Sequence, residues 1–227
     1  TSYSFHWFNN KYEVFDDFLC DLTSRQRKNI KKERQKINAQ GIKIERVRGK
    51  DISEEMIVCF YDFYQVTYLK RGMSGYLNLE FFKDAIKLMP ESILLVMAKN
   101  LDGDYVAAAL NFYDSQKLYG RYWGCLAEYD SLHFETCYYQ GIEFCIENNL
   151  SRFDPGVQGE HKIKRGFLPI ETYSAHWIKD LRFKEAIDDF LHKETTNIKN
   201  YNQQCISLLP FKKDVIRKIY EQNTEVK

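Results

Sequence analysis

Between Leu118 and Pro169 the chain collects side chains that can move protons and hold anions. Glu160 and His161 stand side by side, and either can accept a proton; an ordinary histidine titrates near 6.5, within reach of neutral pH. Gln158, Lys162, Lys164 and Arg165 crowd around them, and the two lysines and the arginine suit phosphate or carboxylate, arginine through its planar fork. On an upstream strand Arg121 and Tyr122 offer a second cation and a hydroxyl beside Tyr119 and Trp123. A helix then opens with His133 and Glu135. Each group also has a plainer use. Glu160 and His161 can hydrogen-bond the turn after a strand, the lysines can sit on a solvated loop, and Glu135 can complement a helix dipole.

His133-x-Glu135 has the spacing of a deaminase zinc motif, but the P-C-x-x-C partner is absent, so no metal is expected. The six cysteines contain no CxxC pair, which argues against a zinc ribbon or redox dithiol and for buried free thiols.

The elements that must position these groups follow from periodicity. Helices are predicted over 12–22, 24–40, 53–70 and 78–89. Strands are predicted over 42–47, 93–99, 105–113 and 117–125, the last three forming an antiparallel meander through short turns. A helix over 132–149 carries an apolar stripe, with Glu135, Tyr139, Glu143 and Glu147 at i, i+4 spacing on the opposite side. A strand at 151–154 follows, and the intervening helix makes it parallel to the strand before. A strand over 171–178 and helices within 182–222 complete the chain. The fold class is therefore α/β (α+β), a central mixed, mostly antiparallel sheet with flanking helices, expected as a single domain over residues 1–227.

With 44% apolar residues and 15% aromatics the chain can build a substantial core. No apolar run of about 18 residues occurs and no signal-peptide pattern opens the chain, so a cytoplasmic location is the default expectation. The net charge of +1 conceals an asymmetry: Ser24 to Lys50 holds eleven Lys or Arg against Glu33 and Glu45. Such a basic helix suits either an anionic partner or a solvated face. Lys70 and Arg71 are further cations.

The order of helices, meander, helix and parallel strand resembles the GNAT acyltransferase fold. In that fold the two parallel strands splay apart and an acyl donor enters the gap. Several stretches resemble its FemAB-like branch: DDFL leading into RKNIKK, INAQGIKI, and FYDFYQVTYLKRG. LYGRYWG, LHFETCYYQ and QGEHKIKRGF resemble a bacterial group named for peptidoglycan biosynthesis or recognition. The resemblance implies an N-acyltransferase acting on an amine, with Glu160 and His161 as catalytic candidates. It implies substrate or anion binding by Arg121, Tyr122, His133, Glu135, Gln158, Lys162, Lys164 and Arg165. The acceptor would be a small molecule or a peptidoglycan precursor. A recognition module binding a cell-wall precursor or RNA is the non-catalytic alternative. Members usually carry additional sequence ahead of the matched region, in keeping with a chain that opens on Thr1.

The donor is left open between acyl-CoA and aminoacyl-tRNA. Coenzyme A users of this fold carry R/Q-x-x-G-x-G/A where the helix N-terminus receives pyrophosphate. Here Arg121-Tyr122-Trp123-Gly124-Cys125-Leu126 fails that pattern at its last position and ends before the helix begins. An aminoacyl-tRNA donor needs no such loop, and the basic helix over 24–36 could follow its backbone.

Overall fold

The computed structural model describes residues 2–156 and 159–224. Seven strands form one sheet in the order β2-β3-β4-β5-β6-β1-β7. They are β1 (Ser2–Phe8), β2 (Lys43–Arg48), β3 (Ile93–Lys99), β4 (Tyr105–Tyr113), β5 (Lys117–Cys125), β6 (Arg152–Asp154) and β7 (Leu168–Thr172). Every pairing is antiparallel except β5 with β6. The mixed, mostly antiparallel sheet, the meander and the parallel crossover are as the sequence predicts.

β3 shows why the sheet lies between helical layers. Ile93, Leu95 and Met97 pack with Phe60 and Phe63 of α3 (Glu54–Leu69) and Phe82 of α4 (Leu79–Leu88). Leu94 and Val96 point the other way, toward Phe18 of α1 (Phe15–Asp21), Ile30 of α2 (Ser24–Ala39) and Ile142 of α6 (Gln140–Glu147). A strand apolar at every position but its last, Lys99, is what burial on both faces demands. The α3 layer sits close because Gly124 lies under it: a Cβ there would stand 2.1 Å from the Phe63 carbonyl oxygen. Ser53 and Asn78 cap α3 and α4, their side chains accepting from Met56 N and Phe81 N.

Two strand assignments are corrected. β1 has no counterpart among the predicted elements, although Ser2–Phe8 alternates polar and apolar residues; it inserts between β6 and β7. The strand expected over 171–178 is instead β7 at Leu168–Thr172, paired through Pro169 with Phe5. Proline is tolerated there because β7 is an edge strand. The closing helices are α7 (Leu181–Ser207) and α8 (Lys213–Thr224). Among the described residues no helix is long and apolar enough to cross a membrane.

Candidate active site

β5 and β6 pair only at Lys117–Arg152, Leu118–Phe153 and Tyr119–Asp154, after which they part. β6 ends because Pro155 follows and has no N–H to offer a ladder. β5 runs on to Cys125 but is distorted: Leu110 pairs with Tyr122 and Asn111 with Gly120, which leaves Arg121 as the extra residue of a bulge. Bulges re-aim side chains, and Arg121 faces the opening with its guanidinium 3.9 Å from Asp154. The gap holds a cavity of about 600 Å³ bordered by Arg71, Arg121, Tyr122, His133, Tyr138 and His161, with Lys162 at its edge.

The helix beneath the gap is not uniform. α5 (Leu132–Phe134) passes into a π-helical turn, Glu135–Tyr139, before α6. Such turns are rare and align residues five apart instead of four. His133 and Tyr138 therefore meet edge to face, ring centres 5.3 Å apart, and Gln140 donates to Glu135 at 2.7 Å.

The third wall is a 3-10 helix, Glu160–Arg165, bracketed by Gly159 at φ 111° and Gly166 at φ 84°. Glycine is required at 159 for space as well, since a Cβ would lie 2.2 Å from the His161 ring. His161 Nε2 sits 2.7 Å from the Tyr138 hydroxyl. Burial, together with Arg165 and Lys162, lowers the His161 pKa, so its imidazole is neutral at pH 7. His133 falls to about 4, burial foremost, with His161, Arg165 and Lys162 also disfavouring its protonated form. Lys162 is buried, donates to the Gly156 carbonyl at 2.6 Å and drops to about 8 through desolvation.

Of the side chains singled out in the sequence, Arg121, Tyr122, His133, His161 and Lys162 border the cavity. Glu135 does not: it is buried, bonded by Arg34 at 2.9 and 3.1 Å, and its pKa is raised because burial outweighs Arg34. Arg165 is also committed inward. It reaches Glu33 at 2.7 Å and the His161 carbonyl at 2.8 Å, and lies over the Phe134 ring. Glu33 additionally accepts from Tyr139. Glu160 accepts from Tyr201 of α7 at 3.0 Å. Glu160, Lys164 and Arg165 border a second cleft of about 790 Å³ between the 3-10 helix and Lys32 and Lys36 of α2. His161 borders both cavities. Gln158 lies outside the described residues.

Tyr138 is buried in the core as helical spacing assigns it, but its contact with His133 is one that periodicity does not give. Only the π-turn brings the two together. The basic helix needs a similar correction, because much of its charge is answered within the chain. Arg34 pairs with Glu135 and Glu143, Lys36 with Asp130, and Lys31 with Asp16. Arg25, Arg27, Lys28 and Lys32 have no ion pair among the described residues. Where coenzyme A users place a glycine loop, residues 126–131 contain no glycine, and Asp130 is held by Lys36 and Gln40. Among the described residues no group of three His, Cys, Asp or Glu is placed to hold a metal.

A family model described as FemAB-like, peptidoglycan biosynthesis/recognition, matches residues 1–213. No curated protein matches. Among solved structures, FemX is 13% identical with a TM-score of 0.54, over 69% of this chain and 53% of that one. L-PGS from Bacillus licheniformis is 11% identical with a TM-score of 0.47, over 69% of this chain and 48% of that one. The chain thus spans about half the length of these structures. The fold is GNAT-like.

Proposed function

Because the chain belongs to the FemAB-like family of peptidoglycan biosynthesis/recognition proteins, we propose that it is an N-acyltransferase moving an acyl or aminoacyl group onto an amine of a cell-wall precursor. The observation that carries this reading is the pair Tyr138–His161, a neutral imidazole hydrogen-bonded to a hydroxyl where the two cavities meet.

In this mechanism, unlike the arrangement the resemblance implies, the acceptor enters the gap between β5 and β6, its anionic groups drawn to Arg71 and Arg121 at the rim. Its uncharged amine attacks the donor carbonyl carbon. As the N–C bond forms, the Tyr138 hydroxyl takes the amine proton and passes its own to His161 Nε2. The Lys162 ammonium faces the developing oxyanion. The bond to the donor oxygen then breaks and the departing alkoxide receives the proton back through Tyr138, so no net proton is consumed. The donor lies on the α2 side, where Lys32 and Lys164 offer cations to a phosphate-bearing carrier. The glycine-free segment 126–131 speaks against coenzyme A and for an aminoacyl-tRNA ester. A cytoplasmic location accords with such a donor.

The test offers acetyl-CoA, a longer acyl-CoA and a set of aminoacyl-tRNAs with amine-bearing peptidoglycan precursors, products being read by mass spectrometry. The expected result is product from an aminoacyl-tRNA, lost in His161→Ala. Precursor binding without product from any donor would overturn catalysis and leave a recognition role.

A further inference from the structure

β6 ends in Asp154-Pro155-Gly156, a turn sequence in which proline presets one φ and glycine takes a positive one, here 88°. The Asp154 carboxylate closes this turn itself: its Oδ1 accepts from the Gly156 N–H at 2.9 Å. With the backbone so held, the carbonyls of Pro155 and Gly156 face Lys162, whose Nζ donates to them at 3.4 and 2.6 Å. An ammonium has three N–H donors. Two are answered by the turn, which leaves the third for the cavity that Lys162 borders.

The same carboxylate meets the opposite wall. Its Oδ2 lies 3.9 Å from the Arg121 guanidinium, across the gap between β5 and β6. Behind it stands β1. His6 is buried, and Arg152 donates its Nε–H to His6 Nδ1. Burial, with Arg152 next, brings the His6 pKa to about 4, so the ring is neutral and carries its proton on Nε2. That nitrogen is 2.9 Å from Ser4 Oγ and 3.7 Å from Asp154 Oδ1. The carboxylate therefore has a neutral group, not a competing cation, at its back.

A side chain needed only to close the turn could equally be asparagine, which accepts from the same N–H. What asparagine lacks is charge. Burial disfavours the Lys162 ammonium, Asp154 favours it, and Cys137 adds in the same sense. His6, His133 and His161 face it with lowered pKa values, as neutral rings at pH 7. Tyr119 and Arg121 of β5 and Arg152 of β6 also face Asp154.

We propose that Asp154 is a positioning residue of the gap: it builds the turn that seats the Lys162 ammonium and, by its charge, ties Arg121 to the same place. What the seated ammonium does, facing the oxyanion, rests on the acyl-transfer reading; the seating itself does not.

NMR of the full chain labelled at lysine Cε, with the Lys162 resonance identified by its loss in Lys162→Met, follows the ammonium directly. Its titration midpoint should lie at about 8 in the wild type. In Asp154→Asn, which keeps the acceptor for Gly156 N, it should lie about one pH unit lower, the effect of losing a nearby opposite charge. The dispersion of the same spectra reports whether the variant is folded. In turnover with the acceptor and donor of the proposed reaction, the ratio of kcat at pH 8 to kcat at pH 6.5 should fall about four-fold in Asp154→Asn, as a midpoint one unit lower requires. A loss of packing would lower both rates alike. An unchanged Lys162 midpoint in folded Asp154→Asn overturns the proposal, whether or not the protein has activity. A lowered midpoint in a protein that turns over no donor upholds the seating of Lys162 by Asp154 and removes the acyl-transfer reading instead.

Discussion

The Tyr138 hydroxyl and His161 Nε2 stand 2.7 Å apart although one belongs to a π-helical turn and the other to a 3-10 helix. Their meeting depends on two irregular backbone segments at once. If they form the proton relay, His161→Ala should lower kcat/KM by about 10²- to 10⁴-fold, the usual contribution of a positioned acid–base group. Tyr138→Phe should remove a large part of that. Because burial, Arg165 and Lys162 hold His161 below its ordinary 6.5, activity should rise with pH along a limb lying under 6.5. A limb above it, or none in the wild type, would count against His161 as the base.

Arg34 carries a different expectation. It answers the buried carboxylate of Glu135 and also reaches Glu143 at 2.6 Å. Arg34→Met leaves Glu135 uncompensated and should cost about 3 kcal/mol at neutral pH. Glu135 already has a raised pKa, so the folded state binds its proton more readily than the unfolded one. The stability of Arg34→Met should therefore fall as pH climbs from 4.5 through the folded value and recover on acidification. Urea unfolding at pH 5 and pH 7.5 measures this. Adding Glu135→Gln should restore much of the loss at the higher pH; equal loss at both would show that packing, not charge, is responsible.

Much of this architecture is legible in the residues. The β3–β4–β5 meander announces itself through apolar runs separated by LDGD and DSQ, and the helix after β5 requires a parallel β6. Other parts obey rules that single-element patterns hide. Pro169 argues against a strand unless one knows that β7 is at an edge. No Gly or Pro marks the π-turn, so 3.6 periodicity places Tyr138 correctly in the core but misses its contact with His133 and sets the buried Glu135 and Tyr139 on the side opposite the apolar stripe. The basic helix is read from sequence as either a surface for anions or a solvated face, but whether Arg34 or Lys36 is free depends on Glu135, Glu143 and Asp130, about a hundred positions away in the chain.

The close approach of α3 to β5 rests on Gly124. A methyl group there would lie 2.1 Å from Phe63 O, a backbone atom that cannot rotate aside. Gly124→Ala should destabilise by about 1–3 kcal/mol, the cost of overpacking. Because Trp123 and Tyr122 border the cavity, KM for the acceptor should rise as well. Chemical denaturation together with acceptor titration would detect both effects, and an unaltered midpoint would contradict so tight a contact.

Lys162 supplies the opposite pH limb. Desolvation brings its pKa to about 8 from the ordinary 10.5, with Asp154 opposing only partly. If the ammonium steadies the oxyanion, activity should decline as pH passes about 8, giving a bell with the His161 limb on its acid side. Lys162→Met should lower kcat more than it raises KM and should abolish the alkaline limb. Stability should move the other way. Between about 8 and 10.5 the unfolded chain keeps a proton that the folded chain has released, so folding strengthens with rising pH there. Losing activity while gaining stability over one pH interval separates loss of a catalytic charge from unfolding. Thermal melts run alongside the rate profile would expose a Lys162 that serves only to brace the Gly156 carbonyl, because the alkaline limb would then be missing from the wild type.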